Sequence, residues 1–209
     1  MKINLQQKSI LALAGCLLLS LAVVAQTKGK KSSTATYNIV AAESSFTVFV
    51  AKDGMLARMA HDHNIGVKGF SGKVTIPNHS ASAGTLELDA DARSLVILDQ
   101  ISAKDKTEIT NNMNTYVLES AKFPKITFRS TSISNFSQNG NNASLTVNGD
   151  LTLHGTTKRV AIPVSVAQTG ATGQYTLRQT DFGIKPYSAM LGSIKVKNEV
   201  VIRFNMVAK

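Results

Sequence analysis

Residues 145–166, LTVNGDLTLHGTTKRVAIPVSV, alternate apolar and polar side chains in two runs around a polar turn. Leu145, Val147, Leu151 and Leu153 fall on one face, opposite Thr146, Asn148, Asp150 and Thr152. Beyond the turn, Val160, Ile162, Val164 and Val166 again take every second position. A period of two marks a strand with one dry and one wet face, so the stretch predicts a paired hairpin. Pro163 has no amide donor, which places it at an irregularity or where its nitrogen faces away from the ladder. His154-Gly155 predict the turn, with Gly155 supplying a positive φ and His154 holding neighbouring backbone groups.

The same rhythm recurs along the chain. Phe46, Val48 and Val50 alternate with polar neighbours, as do Leu86, Leu88, Ala90 and Ala92, and a long closing run places Ile194, Val196, Val200, Ile202, Phe204 and Met206 on one face. Between 65 and 76 the parity of the apolar positions changes, from Ile65 and Val67 to Phe70, Val74 and Ile76. A one-residue slip turns every later side chain over, so a bulge near Gly69 or Gly72 and a bent strand are expected. One segment departs from the two-residue period: Ile109, Met113, Tyr116 and Val117 lie at helical spacing, with Ser102 and Asp105 as a capping pair. This predicts a helix over 103–116, which either covers one end of a barrel or lines its mouth. Many short one-sided strands with a single helix predict an antiparallel β-barrel or sandwich.

The hairpin text GDLTLHGTTKRVAIPV resembles the signature hairpin of the YceI-like family of secreted, lipid-binding β-barrels. Matching stretches follow in family order: FPKITFRSTSI at 123–133, RQTDFGIK at 178–185 and IKVKNEVVIRFNMVA at 194–208. Arg159 stands where that pattern often has proline, and His61-Asp62-His63 where many relatives have a single histidine. The resemblance implies an all-β fold, an eight-stranded, lipocalin-like closed barrel. It also implies an isoprenoid lipid, such as an isoprenoid quinone or polyprenyl phosphate, held along the barrel axis, with no cofactor.

Composition narrows the setting. The chain has 209 residues, and Lys2 and Lys8 precede an apolar run over 10–25, which reads as a secretory signal peptide at 1–25. A flexible linker at 26–35, rich in Lys, Ser and Thr, and a barrel domain at 36–209 complete the expected organisation. This predicts a periplasmic or extracellular protein. Leu13-Ala14-Gly15-Cys16 offers a different reading, in which Cys16 is retained and acylated as a lipid anchor. The formal net charge is +10, of which Lys2 and Lys8 would leave with the leader. The remaining charge is scattered without a basic stripe interleaved with aromatics, which excludes a nucleic-acid surface and suits transient contact with an anionic membrane. The sequence leaves the oligomeric state open, a dimer included.

The residues that could carry chemistry are few. His61 and His63 point the same way on an extended strand and could grip a metal ion with His154 as a distant third, bond a ligand headgroup, or shape a strand entry. Arg58, Lys158 and Arg159 join His61 and His63 as candidates for a polar or anionic headgroup. Asp181, in a TDFGIK stretch, lacks every companion of a nucleotide site and is expected to cap backbone or pair with Arg178 or Arg129. No catalytic constellation stands out, and the chain reads as a binding module, not an enzyme. The apolar lining is expected from Phe46, Val48, Leu86, Leu88, Phe128, Leu151, Leu153, Val160, Ile162, Val196, Val200 and Ile202. Small residues at Ala90, Ala92, Ser130 and Gly149, and the absence of Trp, favour a hollow interior. A metal-binding or enzymatic barrel, or a solid structural envelope protein, are the competing classes.

Overall fold

The computed structural model describes residues 33–59 and 61–209. The expected signal peptide, Cys16 and most of the expected linker lie outside the described residues. The chain forms β1 (Thr34–Asn38), β2 (Ser45–Asp53), β3 (His63–Val67), β4 (Phe70–Pro77), β5 (Thr85–Asp91), β6 (Leu95–Ile97), helix α1 (Ala103–Asn112), β7 (Lys125–Asn139), β8 (Asn142–Leu153), β9 (Thr156–Ala167), β10 (Gly170–Arg178), β11 (Ser188–Ala189) and β12 (Ile194–Met206). Thr34 and Ala35, expected in the linker, already pair with Pro77 and Ile76 in β1.

All the strand pairs are antiparallel, in the order β1-β4-β5-β7-β8-β9-β10-β12-β2-β3-β6, with β11 on β12. The two ends of that path meet because β3 and β4 are halves of one bent strand. β3 joins β2 and β6, while β4 joins β5 and β1. Counting β3–β4 and β5–β6 as single bent strands leaves eight long strands wound into a barrel, plus the short β1 and β11. The bend falls at Lys68-Gly69, where the change of apolar parity required it. Below it, the continuation of β1 seals the wall, with the Asn38 amide donating to the Lys209 carbonyl at 2.8 Å and the Val40 amide to that of Val207 at 2.8 Å.

The central hairpin pairs Leu145 with Val164, Val147 with Ile162 and Gly149 with Val160, so its dry faces coincide. Its turn uses left-handed backbone at His154 (φ 52°) and Gly155 (φ 73°), the geometry that lets a two-residue turn follow the strand twist. Pairing of β9 with β10 stops at Val164 opposite Gly173. Pro163 therefore sits where the two strands part. The turn Gln179–Phe182 packs against β9 and β12, and Phe182 is only 2% exposed.

The interior has two sides. On one, Phe128, Val147, Leu151, Val160, Leu177, Phe182, Ile184 and Val200 form a buried cluster, joined by Leu86 and Ile162. On the other, Ile65, Val67, Ala90, Leu95, Ile97 and Met113 form a second cluster beneath α1. Ser102 caps the helix by accepting from the Asp105 amide at 3.1 Å. After Asn112 the helix widens into a π turn over Met113–Val117, with the Leu118 amide donating to the Met113 carbonyl at 2.8 Å. Such widened turns are frequent at functional sites.

Candidate functional site

A cavity of about 580 Å³ runs inside the barrel between the two clusters, with Phe128, Leu151, Leu177, Ile184 and Val200 of the first among its lining. This is within the range of small-molecule sites, roughly 300–1,000 Å³. Its apolar walls come from alternate positions of facing strands: Phe46, Val48 and Val50 of β2, Ile65 and Val67 of β3, Leu88 and Ala90 of β5, and Val196, Val200 and Ile202 of β12. Phe128, Leu151 and Leu153 complete the wall against the filled side. Because inward residues recur every second position, one ladder presents a nearly continuous dry surface.

The helix forms part of that wall. Asp105, Glu108, Ile109, Asn112 and Met113 line the cavity at helical spacing, so α1 both covers an end and lines the mouth. Asn112 Nδ2 donates to the Tyr187 hydroxyl at 3.3 Å, tying α1 to the segment that leads into β11. The exposed members of the lining, His61, Asp105, Glu108 and Lys195, mark where the cavity opens to solvent. The result is a dry channel with a polar collar.

Of the expected lining, Leu86, Val160 and Ile162 do not reach the cavity. They face inward but pack into the filled cluster. The small residues also divide. Ala90 borders the cavity, whereas Gly149 creates no room, since a Cβ there would come within 2.5 Å of the Phe128 ring. Ser130 spends its hydroxyl on the Leu86 amide, accepting at 2.7 Å.

Among the candidate polar residues, His61 and His63 line the cavity and Arg58, Lys158 and Arg159 do not. Arg159 turns outward and pairs with Asp150 at 2.7 Å. Lys158 lies opposite Leu151 near the exposed end of the hairpin. His63 Nδ1 meets Asp99 Oδ2 at 2.8 Å, and the Asn64 amide donates to Asp99 Oδ1 at 3.0 Å. Burial would raise the Asp99 carboxyl, but the hydrogen bonds from His63 and Asn64 outweigh it and hold the group below the usual carboxylate range.

The alternative grouping of His61, His63 and His154 around a metal is not formed. His154 Nε2 meets Glu119 Oε2 at 2.8 Å, and its ring lies 4.3 Å from that of Phe123. Among the described residues, no group of three or more His, Cys, Asp or Glu side chains is gathered as a metal ion requires. His154 instead fastens the hairpin turn to the segment following α1. Asp181 pairs with neither expected arginine, because Arg178 lies 3.8 Å from Glu199 and Arg129 pairs with Asp89 at 2.6 Å.

Sequence reasoning missed the polar collar from α1, Tyr187 and Lys195. The signal was present in part: Asp105, Glu108 and Asn112 share a face with Ile109 and Met113, a mixed stripe unsuited to a fully dry contact.

Comparison with known proteins agrees with this architecture. Residues 37–208 match the family model described as YceI-like domain. A UPF0312 protein of Shewanella oneidensis is 40% identical over 78 residues, covering 32% of this chain and 39% of that protein. The match thus spans well under half the length of that relative. Among solved structures, BcnA of Burkholderia cenocepacia superposes with a TM-score of 0.64 at 23% identity, over 82% of this chain and 99% of that one. A polyisoprenoid binding domain from Saccharophagus degradans, implicated in plant cell wall breakdown, gives 0.59 at 14% identity, over 83% and 97%. These two similarities concern the fold.

Proposed function

The chain belongs to the YceI-like domain family, and from that premise we propose that it is a lipid-binding protein that holds a long isoprenoid chain inside its barrel, for carriage, storage or sequestration. The observation that carries this reading is the internal cavity of about 580 Å³ with dry walls and a polar collar. Burial of apolar surface alone supplies the affinity, at about 0.8 kcal/mol for each CH₂ taken from water, less the cost of ordering the chain. No bond is made or broken. The polar end of the ligand rests at the collar, where His61, His63, Asn112 and Tyr187 offer hydrogen bonds.

An isoprenoid quinone and a polyprenyl phosphate share the apolar tail and differ in charge. Asp105 and Glu108 at the collar disfavour a multiply charged anion, whereas Lys195 favours one, so the neutral headgroup is the better fit on balance. Action in the periplasm or outside the cell is part of the proposal, supported by the leader-like apolar run over 10–25 behind Lys2 and Lys8. The named polyisoprenoid-binding neighbour supports the ligand class.

Native mass spectrometry of protein purified without detergent, followed by lipid extraction, tests the reading. A co-purifying isoprenoid, and uptake of a fluorescent geranylgeraniol analogue that Ala90→Phe abolishes, are expected. A protein that takes up no labelled isoprenoid of any length, with its fold intact by circular dichroism, would sink it.

A further inference from the structure

Two loops beside the cavity opening present large apolar side chains to water. The first follows β2 and carries Met55 and Leu56, which are 89% and 36% exposed. The second joins β11 to β12 and carries Met190 and Leu191, at 64% and 108%. The loops are bound to one another: the Leu56 amide donates to the Ser193 carbonyl at 2.9 Å, and Gly54 is packed so closely on Ser193 that a Cβ would lie 2.6 Å from its carbonyl oxygen. They form one apolar tip.

The second loop holds its side chains out against its own backbone preference. Met190 and Leu191 both adopt left-handed backbone, with φ of 50° and 54°. Two successive non-glycine residues in that region are strained, and retained strain gathers where it serves a function. Here it turns the most exposed leucine in the described chain fully into solvent. Large exposed apolar groups on a monomer mark a contact surface.

The surroundings of the tip specify the contact. Segments 52–63 and 185–197 carry Lys52, Arg58, Lys185, Lys195 and Lys197 against Asp53 and Asp62 only. The acidic collar residues Asp105 and Glu108 belong to α1, on a different element of the opening. Apolar side chains surrounded by a basic excess are the composition of a surface that enters an anionic lipid headgroup layer. Ala189 and Ile194, immediately beside the tip in sequence, line the cavity itself. The tip is therefore continuous with the entrance.

We propose that the paired loops at 54–58 and 190–193 are a membrane-docking tip, which inserts Met55, Leu56, Met190 and Leu191 into the interfacial layer of an anionic bilayer and aligns the cavity opening with the lipid. This rests on the reading that the cavity takes an apolar chain, because a long isoprenoid has its reservoir in a bilayer and must otherwise cross water to reach the barrel. Arg58, which lies outside the cavity lining, gains a role here as a phosphate contact.

The test uses the mature chain with vesicles of phosphatidylcholine containing 30% phosphatidylglycerol (~30% being chosen to give a strongly anionic surface). The triple substitution Met55→Ser, Met190→Ser, Leu191→Ser removes exposed side chains only, and its melting temperature should match the parent. Co-sedimentation should fall at least about fivefold in the variant, and should weaken in the parent with added salt or on pure phosphatidylcholine. Transfer of a fluorescent geranylgeraniol analogue from vesicles should slow, while its binding from dilute detergent stays unchanged. Equal vesicle binding by parent and variant, or none by the parent, overturns the proposal. So does a dimer in the parent that the variant abolishes, which would assign the tip to a second copy of the chain. Ala90→Phe separates the two readings: it should block uptake of the analogue and leave vesicle binding intact.

Discussion

The two sides of the barrel are built from the same strand pattern and end in opposite states. On the β7–β10 side, Phe128, Leu151 and Leu177 border the cavity, and behind them large side chains meet and fill the space. Val147, Val160 and Phe182 lie in that cluster without touching the cavity. On the β2–β3 side, the walls carry comparably apolar residues, but the facing element is a helix whose inner face includes Asp105, Glu108 and Asn112. Phe182 fills space behind the wall, whereas Asp105, Glu108 and Asn112 border the open centre. Solidity and hollowness are thus decided by what closes each side, not by the polarity of the walls. The filled side supplies stability so that the open side can remain unfilled.

The sharpest way to break this contrast is to hollow the filled side. Phe182→Ala should cost about 3–5 kcal/mol of unfolding free energy in a urea titration, because the side chain is enclosed and the surrounding strands relax only partly. A loss below about 1 kcal/mol would mean that this side is not close-packed. Filling the open side is the converse. Ala90→Phe should lower isoprenoid affinity tenfold or more by fluorescence titration, while its stability changes by less than about 1 kcal/mol, since the ring enters existing space.

A smaller effect is expected behind His63. Asp99→Asn weakens the contacts to His63 and Asn64 and should cost about 1–2 kcal/mol at neutral pH. Because the folded carboxyl titrates below its unfolded value of about 3.9, its contribution is full above that pH and is lost as pH falls through the folded value. Melting temperatures measured from neutral pH into acid should therefore fall less steeply in Asp99→Asn than in the parent over this low range. The smallest change is on the outer wall. Arg159→Ala, which removes an exposed pair with Asp150, should alter stability by no more than about 0.5 kcal/mol and leave isoprenoid binding unchanged.

The dry faces were legible because alternation leaves no choice of register. Leu145, Val147, Leu151 and Leu153 all point where their parity sends them, and the parity change between Val67 and Phe70 located the bend at Lys68-Gly69. Ser102 and Asp105 announced the start of α1, and His154-Gly155 the turn. Several inferences about the site were not recoverable in this way. Gly149 reads as missing volume, yet the Phe128 ring from the adjacent strand occupies that volume. His154 reads as a candidate ligand until Glu119 and Phe123, distant in sequence, are brought against it. Arg159 matches the polarity of a headgroup contact but lies on the wet face with Asp150.

By itself, the amino-acid order determined which face of each strand is dry, where one strand must bend, and that a single helix interrupts the sheet, since these follow from local periodicity and turn chemistry. Only the tertiary structure decided which dry residues meet and which enclose a void. That depends on the distance between surfaces contributed by strands and a helix far apart in the chain, and side-chain volume fills such a gap only where opposing elements come close enough to touch.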